Sequence, residues 1–195
     1  IASLSATHTE VLFALGAGDQ VAAVDTFSTS PPEAAEKEQV DAFELNVEAV
    51  AALEPDLVIL AGFMRILPSE LVDRYRGRML NVHPSLLPKY PGLHTYRRAL
   101  EAGDREHGST VHFVIPALDA GPGILQYRVP VHPGDTEATL RERVRAGEHL
   151  IYPRAIAWLA AGRVVLRDGA AWLDGERLMQ PVVVDEVAAE RSTAA

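Results

Sequence analysis

Asn81 and His83 are the two residues of this 195-residue chain best suited by type and spacing to do chemistry. They lie in Leu80-Asn81-Val82-His83-Pro84-Ser85, where an apolar run that reads as a strand, Met79 to Val82, comes to its end. Side chains two apart on a strand share a face, so the Asn81 amide and the His83 imidazole point the same way. A neutral donor beside an ionisable ring suits an oxygen that gains negative charge, which is what acyl transfer requires. The same pair could do no more than cap a strand, and the spacing alone leaves both readings open.

Three neighbouring features favour chemistry. His83 runs into Pro84 and then Leu86-Leu87-Pro88-Lys89-Tyr90-Pro91-Gly92, a proline-punctuated loop with little conformational entropy to lose. Gly108-Ser109-Thr110-Val111-His112-Phe113 gives a second strand with polar residues at alternate positions, among them Thr110 and His112 as supporting groups. Asp119 stands in the turn Leu118-Asp119-Ala120-Gly121-Pro122-Gly123 that follows. A carboxylate brought close to an imidazole fixes its tautomer and raises its pKa.

These residues need a scaffold, and the chain alternates strand and helix throughout. Strands are expected at Ile1–Leu4, Val21–Val24, Asp56–Leu60, Met79–Val82, Ser109–Ile115 and Ile124–Val131. Thr7 and Glu10 have capping-box spacing before Val11, Leu12 and Leu15, and Gly16 and Gly18 end that helix. Further helices are expected from Pro31 to Ala35, from Val47 to Leu53 behind an Asn46 cap, at Pro68–Tyr75, and at Tyr96–Ala102. A long one runs from Thr136 to Ala161, interrupted or bent near Pro153. Val164–Leu166 and Ala170–Leu173 read as a hairpin about Asp168-Gly169. The expected fold is α/β: a single-domain, Rossmann-like, doubly wound and mostly parallel sheet, with helices on both faces and antiparallel edge strands, the hairpin among them. Ligands of such sheets bind at the carboxyl ends of the strands. The apolar strand Asp56–Leu60 belongs inside the sheet, flanked on both sides.

Composition narrows the partners. With 18 basic and 27 acidic residues the net charge is −9, and no basic stripe stands out, so no nucleic-acid partner is expected. The longest apolar stretch, about Leu57 to Met64, is far short of the roughly 20 residues of a membrane span. Ile1–Ser5 does not read as a signal peptide, and the lack of an initiator Met implies residues upstream. There is no cysteine, hence no disulfide, thiolate zinc site or Cys nucleophile; no metal is expected, and cytoplasm is the expected compartment.

The motifs together carry a resemblance. Leu60-Ala61-Gly62-Phe63-Met64-Arg65-Ile66-Leu67, Asn81 to His94, Gly108 to Val114, Leu118 to Gly121, Glu148-His149 with Ile151-Tyr152-Pro153, and Ala171-Trp172-Leu173-Asp174-Gly175 closely resemble glycinamide ribonucleotide formyltransferases. The related methionyl-tRNA formyltransferases are similar only over Asn81 to Pro88. The resemblance implies folate-dependent formyl transfer, with 10-formyltetrahydrofolate as co-substrate and glycinamide ribonucleotide as acceptor. It implies Asn81, His83 and Asp119 as catalytic residues, with Asn81 donating to the formyl oxygen, His83 stabilising the oxyanion and Asp119 holding His83. Asp119 would also help move the proton lost by the amine, through water near Thr110. Met64, Arg65, Ile66, Leu67, Val72, Leu80, Val114 and Leu118 would line the folate pocket, and Glu148 would bind the substrate ribose. A monomer or homodimer is expected.

The start of the chain resembles something else. In the formyltransferases a glycine-rich turn cradles the substrate phosphate, whereas Ser3-Leu4-Ser5-Ala6-Thr7-His8-Thr9-Glu10 has no glycine. Residues 1–58 are similar to the N-terminal lobe of periplasmic binding proteins for cobalamin and siderophores, through Thr9 to Gly16, Val24-Asp25, Pro31 to Ala34 and Leu53 to Val58. The expected organisation is a chimera in one shared sheet: 1–58 from that lobe, 59–186 the formyltransferase segment, 187–195 a frayed tail. A formyltransferase with a divergent start is the other account. In the chimera, Ser5 and Thr7 would serve the phosphate, less well than glycines, and transfer would be impaired. An engineered chimeric scaffold with no significant activity and a cobalamin- or siderophore-binding fragment are the alternatives; the last lacks the second lobe such proteins need to close on a ligand. Leu87–Pro88 is expected to be cis.

Overall fold

Short apolar runs between turn residues form the strands of a computed structural model that describes residues 1–3, 6–14, 16–41, 52, 54–61 and 66–185, without the side chains of residues 7, 8, 11 and 61. The strands are β1 (Ala2–Ser3), β2 (Ala23–Asp25), β3 (Glu38–Val40), β4 (Val58–Ala61), β5 (Met79–His83), β6 (Glu106–Phe113) and β7 (Gly123–Pro130). After these come β8 (Val164–Arg167), β9 (Ala170–Leu173), β10 (Glu176–Arg177) and β11 (Val182–Asp185). The helices are α1 (Ala6–Ala14), α2 (Ser69–Arg74), α3 (Thr95–Glu101) and α4 (Glu137–Ala160). Eight strands make one sheet in the order β11-β7-β6-β5-β4-β1-β2-β3. This is the mostly parallel Rossmann-like sheet that the alternation predicts. β1 pairs in parallel with β2 and with β4, β2 with β3, and β7 with β11, while β6 and β7 are antiparallel.

β4 lies inside the sheet between β1 and β5, and Val58, Ile59 and Leu60 are buried. A strand hydrogen-bonded on both edges with helices over its faces has no side left for polar residues. Residues 1–81 with 114–116 form one compact unit. Its core gathers Val58, Leu60, Leu67, Leu71, Val72, Tyr75 and Met79, with Val114 packed against it. Each such side chain contributes about 1.5–3 kcal/mol by leaving water. Residues 82–113 with 117–195 form the second unit. There α4 packs on β6 and β7, burying Leu140, Val144, Ile151 and Tyr152. The fit is close at Gly147, where a Cβ would stand 1.8 Å from the Tyr127 ring.

Several expectations are corrected. The hairpin is not an edge of the main sheet; β8 and β9 join β10 in a separate three-stranded antiparallel sheet. The edges are β3 and β11, neither foreseen. β3 has three residues of which only Val40 is buried, too little for a periodic signal. α4 runs unbroken through Pro153. α1 begins at Ala6, so Thr7 lies inside the helix and is not its cap. Pro32–Glu36 is a 3-10 helix, tighter than an α-helix, as short proline-led segments tend to be. Apart from Ala52, the helix expected at Val47–Leu53 falls outside the described residues, as does the tail from 186. The Leu87–Pro88 bond is cis, as expected, and Ser30–Pro31 is cis as well.

Candidate active site

β5 ends at His83, whose side chain is only 8% exposed. The chain then turns back over β6 through residues 84 to 93. Side chains elsewhere hold this loop. The Thr110 hydroxyl donates to Ser85 O (2.7 Å) and accepts from Leu87 N (3.0 Å) and Gln126 Nε2 (3.0 Å). Gln126 Nε2 also donates to Leu87 O (2.9 Å). Ser85 Oγ donates to Lys89 O (2.6 Å), and Arg98 Nη1 to Pro91 O (2.7 Å). Thr110 is thus a clamp on loop backbone.

Asp119 arrives from the turn after β6. That turn is seated by Phe113 N donating to Pro122 O (3.0 Å) and by Gly121, where a Cβ would lie 1.7 Å from Phe113 O. Asp119 stands at φ 48°, a left-handed conformation that Asp tolerates better than most residues. Its Oδ2 lies 3.4 Å from His83 Nδ1 and accepts from Gly92 N at 2.8 Å. The other His83 nitrogen, Nε2, is 2.9 Å from Tyr90 O. Both ring nitrogens face acceptors, and only a ring protonated on both can donate to both.

His112 stands behind this pair. A shift in the β6–β7 register between Val111 and His112 sets His112 opposite Gly123; such bulges re-aim side chains beside active sites. Burial holds its pKa below the ordinary histidine range, so the ring is neutral near pH 7. Its Nδ1 donates to Phe113 O (2.9 Å), which leaves the lone pair of Nε2 toward Asp119 Oδ1 at 3.8 Å. That contact is too long for a hydrogen bond and attractive only if His112 is charged. His83, not His112, is the partner of Asp119.

Asn81 precedes His83 by two residues on β5 and is half-buried. Glu148 lies on α4, where burial pushes its carboxyl up to about 7 against the opposing effect of Arg145. Among the apolar candidates, Leu67, Val72 and Leu80 are buried, and Val114 is half-exposed. Leu118 is 58% and Ile66 79% exposed. Met64, Arg65 and Ser5 lie outside the described residues, as does the side chain of Thr7. The sequence reading missed the Tyr90 carbonyl, because a backbone acceptor leaves no mark in a sequence. It also missed Gln126, whose polar side chain within the apolar strand Ile124 to Val129 was a usable signal.

A family model described as formyl transferase matches residues 14–156. The chain belongs to the formyl transferase family. Over 124 residues, 64% of this chain, it is 61% identical to the phosphoribosylglycinamide formyltransferase of Escherichia coli K12. Over 127 residues, 65% of this chain, it is 50% identical to that of Haemophilus influenzae. These matches span 58% and 60% of the length of the two relatives. A solved structure of the Coxiella burnetii phosphoribosylglycinamide formyltransferase superposes with a TM-score of 0.79 at 37% identity, covering 93% of this chain and 96% of that one. Among the described residues no helix is long and apolar enough to cross a membrane.

Proposed function

We propose that the chain transfers a formyl group from 10-formyltetrahydrofolate to the amine of glycinamide ribonucleotide. The observation that carries this reading is the His83–Asp119 pair, 3.4 Å apart at the end of the strand that also bears Asn81. Attack of the amine on the formyl carbon puts negative charge on the formyl oxygen. Asn81 donates to that oxygen, and the charged His83 ring stabilises it electrostatically. Asp119 orients the ring and accepts the proton that the amine loses; the intermediate then collapses, the bond between the formyl carbon and the folate nitrogen breaks, and that nitrogen takes up the proton as tetrahydrofolate leaves. Thr110 supports the loop, and His112, bonded to Phe113 O, supports the strand end that leads into the Asp119 turn. Ile66 and Leu118 offer exposed apolar surface, and with Met64, Arg65, Leu67, Val72, Leu80 and Val114 they are the residues proposed to bind the folate. Glu148 accepts from the ribose hydroxyls. We place the reaction in the cytoplasm and in a monomer or homodimer.

Ser5 and Thr7 take the phosphate at the start of α1 in place of a glycine-rich turn. A Cβ there keeps the phosphate from the close approach that glycine allows, so binding of the acceptor is weakened. Residues 1–58 derive, in this reading, from a periplasmic binding protein lobe joined to a formyltransferase segment from 59. The lack of glycine in Ser3 to Glu10 and the extent of the curated matches, about two thirds of the chain, favour that origin. The family match from residue 14 favours a divergent formyltransferase start instead.

The test is a formyl-transfer assay with both substrates beside a His83→Ala variant. Turnover well above the variant, with a high KM for glycinamide ribonucleotide and an ordinary KM for the folate, is expected. A rate no higher than that of His83→Ala would sink the proposal.

A further inference from the structure

His83 is held at both ring nitrogens, and Asp119 accounts for one hold only. The other is the backbone carbonyl of Tyr90, 2.9 Å from Nε2. A carbonyl has no proton to give, so Nε2–H donates. Tyr90 stands at φ 55°, a conformation that a bulky residue keeps only when its surroundings enforce it. Two anchors enforce it. The Tyr90 hydroxyl donates to Asp104 Oδ2 at 2.8 Å, and the Arg98 guanidinium lies 5.0 Å from the ring centre. Asp104 is itself fixed: its N–H donates to Ala99 O (3.1 Å), and Lys89 Nζ donates to Oδ1 (2.9 Å) and Oδ2 (3.0 Å). Burial would push the Asp104 carboxyl up, but hydrogen bonds from Lys89 and Tyr90 outweigh it and hold the group below the ordinary range. An ionised acceptor makes the stronger hydrogen bond.

We propose that Asp104, acting through the Tyr90 hydroxyl, is a positioning residue for His83. It stands 21 positions along the chain and touches neither the ring nor a reacting atom. By fixing the phenol it fixes the residue's left-handed backbone and so aims the Tyr90 carbonyl at Nε2. Asp119 and Tyr90 O then grip the imidazolium from its two ends. Of the titratable groups near the ring, Asp119 bears on Nδ1, while the buried His107 and His112 act on it only through space. The proposal rests on the reading of His83 as the group that stabilises the oxyanion.

Tyr90→Phe removes the hydroxyl and leaves ring and carbonyl in place; Asp104→Asn weakens the same anchor from the other side. In the full chain, the His83 Nε2–H proton is followed by imidazole nitrogen–proton correlation and by its exchange with water. Both variants are expected to exchange this proton about tenfold faster, the factor set by losing a hydrogen bond to a charged group. The proposed activity is expected to show kcat about tenfold lower and both KM values within about twofold, as for a misaimed catalytic ring. Exchange unchanged in both variants overturns the proposal. Absence of formyl transfer in the unaltered chain would instead remove the activity reading, and the exchange measurement would still decide the role of Asp104.

Discussion

At the residue scale the site depends on a short chain of acceptors around one ring. Asp119→Asn keeps the shape of the side chain and removes its charge, so His83 loses the carboxylate beside Nδ1 and the reaction loses its proton acceptor. A fall in kcat of roughly 10²- to 10³-fold is expected, as for loss of a proton-transfer partner. Steady-state rates at saturating substrate check it, and a loss below tenfold would remove Asp119 from the mechanism. Gly121→Ala tests the seat of the same carboxylate. The new Cβ would meet Phe113 O, a backbone atom that cannot swing away, so the turn must shift and carry Asp119 with it. We expect about 1–3 kcal/mol of destabilisation by overpacking together with reduced turnover. Urea denaturation and the formyl-transfer rate measure the two effects separately.

At the element scale α4 illustrates how a helix start is written in sequence. Thr136 Oγ1 accepts from Thr139 N (3.2 Å), and Thr139 Oγ1 accepts from Thr136 N (3.0 Å), which satisfies two N–H groups at the helix start. Thr136→Ala is expected to cost about 1 kcal/mol, read from the urea midpoint at unchanged slope. The start of this helix was legible; its passage through Pro153 was not. Proline removes one helical hydrogen bond, and burial of Ile151, Tyr152, Ala155 and Ile156 on either side holds the helix across the gap. Local propensity argues for a break there, and packing decides against it.

At the scale of the whole molecule, a buried histidine and a half-buried carboxyl set opposite pH dependences. Burial holds His107 down to about 4, from an ordinary 6.5. The unfolded chain takes up that proton as pH falls through 6.5 while the folded chain refuses it, so stability declines from pH 6.5 toward 4. Buried His112 acts in the same direction. Glu148 acts in the other. Its unfolded carboxyl ionises from 4.5 while the folded one keeps its proton to about 7, so stability falls as pH rises across that window. Glu148→Gln is therefore expected to be more stable at pH 7 than the parent, with stability rising more steeply between pH 4.5 and 6.5. His107→Gln is expected to flatten that rise. Unfolding free energies measured at several pH values test both, and identical slopes in the parent and both variants would count against both assignments.

By itself the sequence determined the alternation of strand and helix and the interior place of β4, and it singled out Asn81, His83 and Asp119 as candidates. Each of these is written in local pattern: apolar runs, turn residues and the period of a strand. What escaped it depends on partners distant in the chain. Glu38–Val40 and Val182–Asp185 become strands because sheet edges stand ready to pair with them, not because of their own periodicity. Val164–Leu173 looks like an edge hairpin, but β10 pairs with β9 and makes a separate sheet. The hold of Tyr90 O on His83 needs a left-handed backbone, and Asp104 acquires its role only when the loop folds back 14 residues to reach it. A sequence records side chains and their spacing; carbonyl directions and edge pairing arise only once the tertiary fold closes around them.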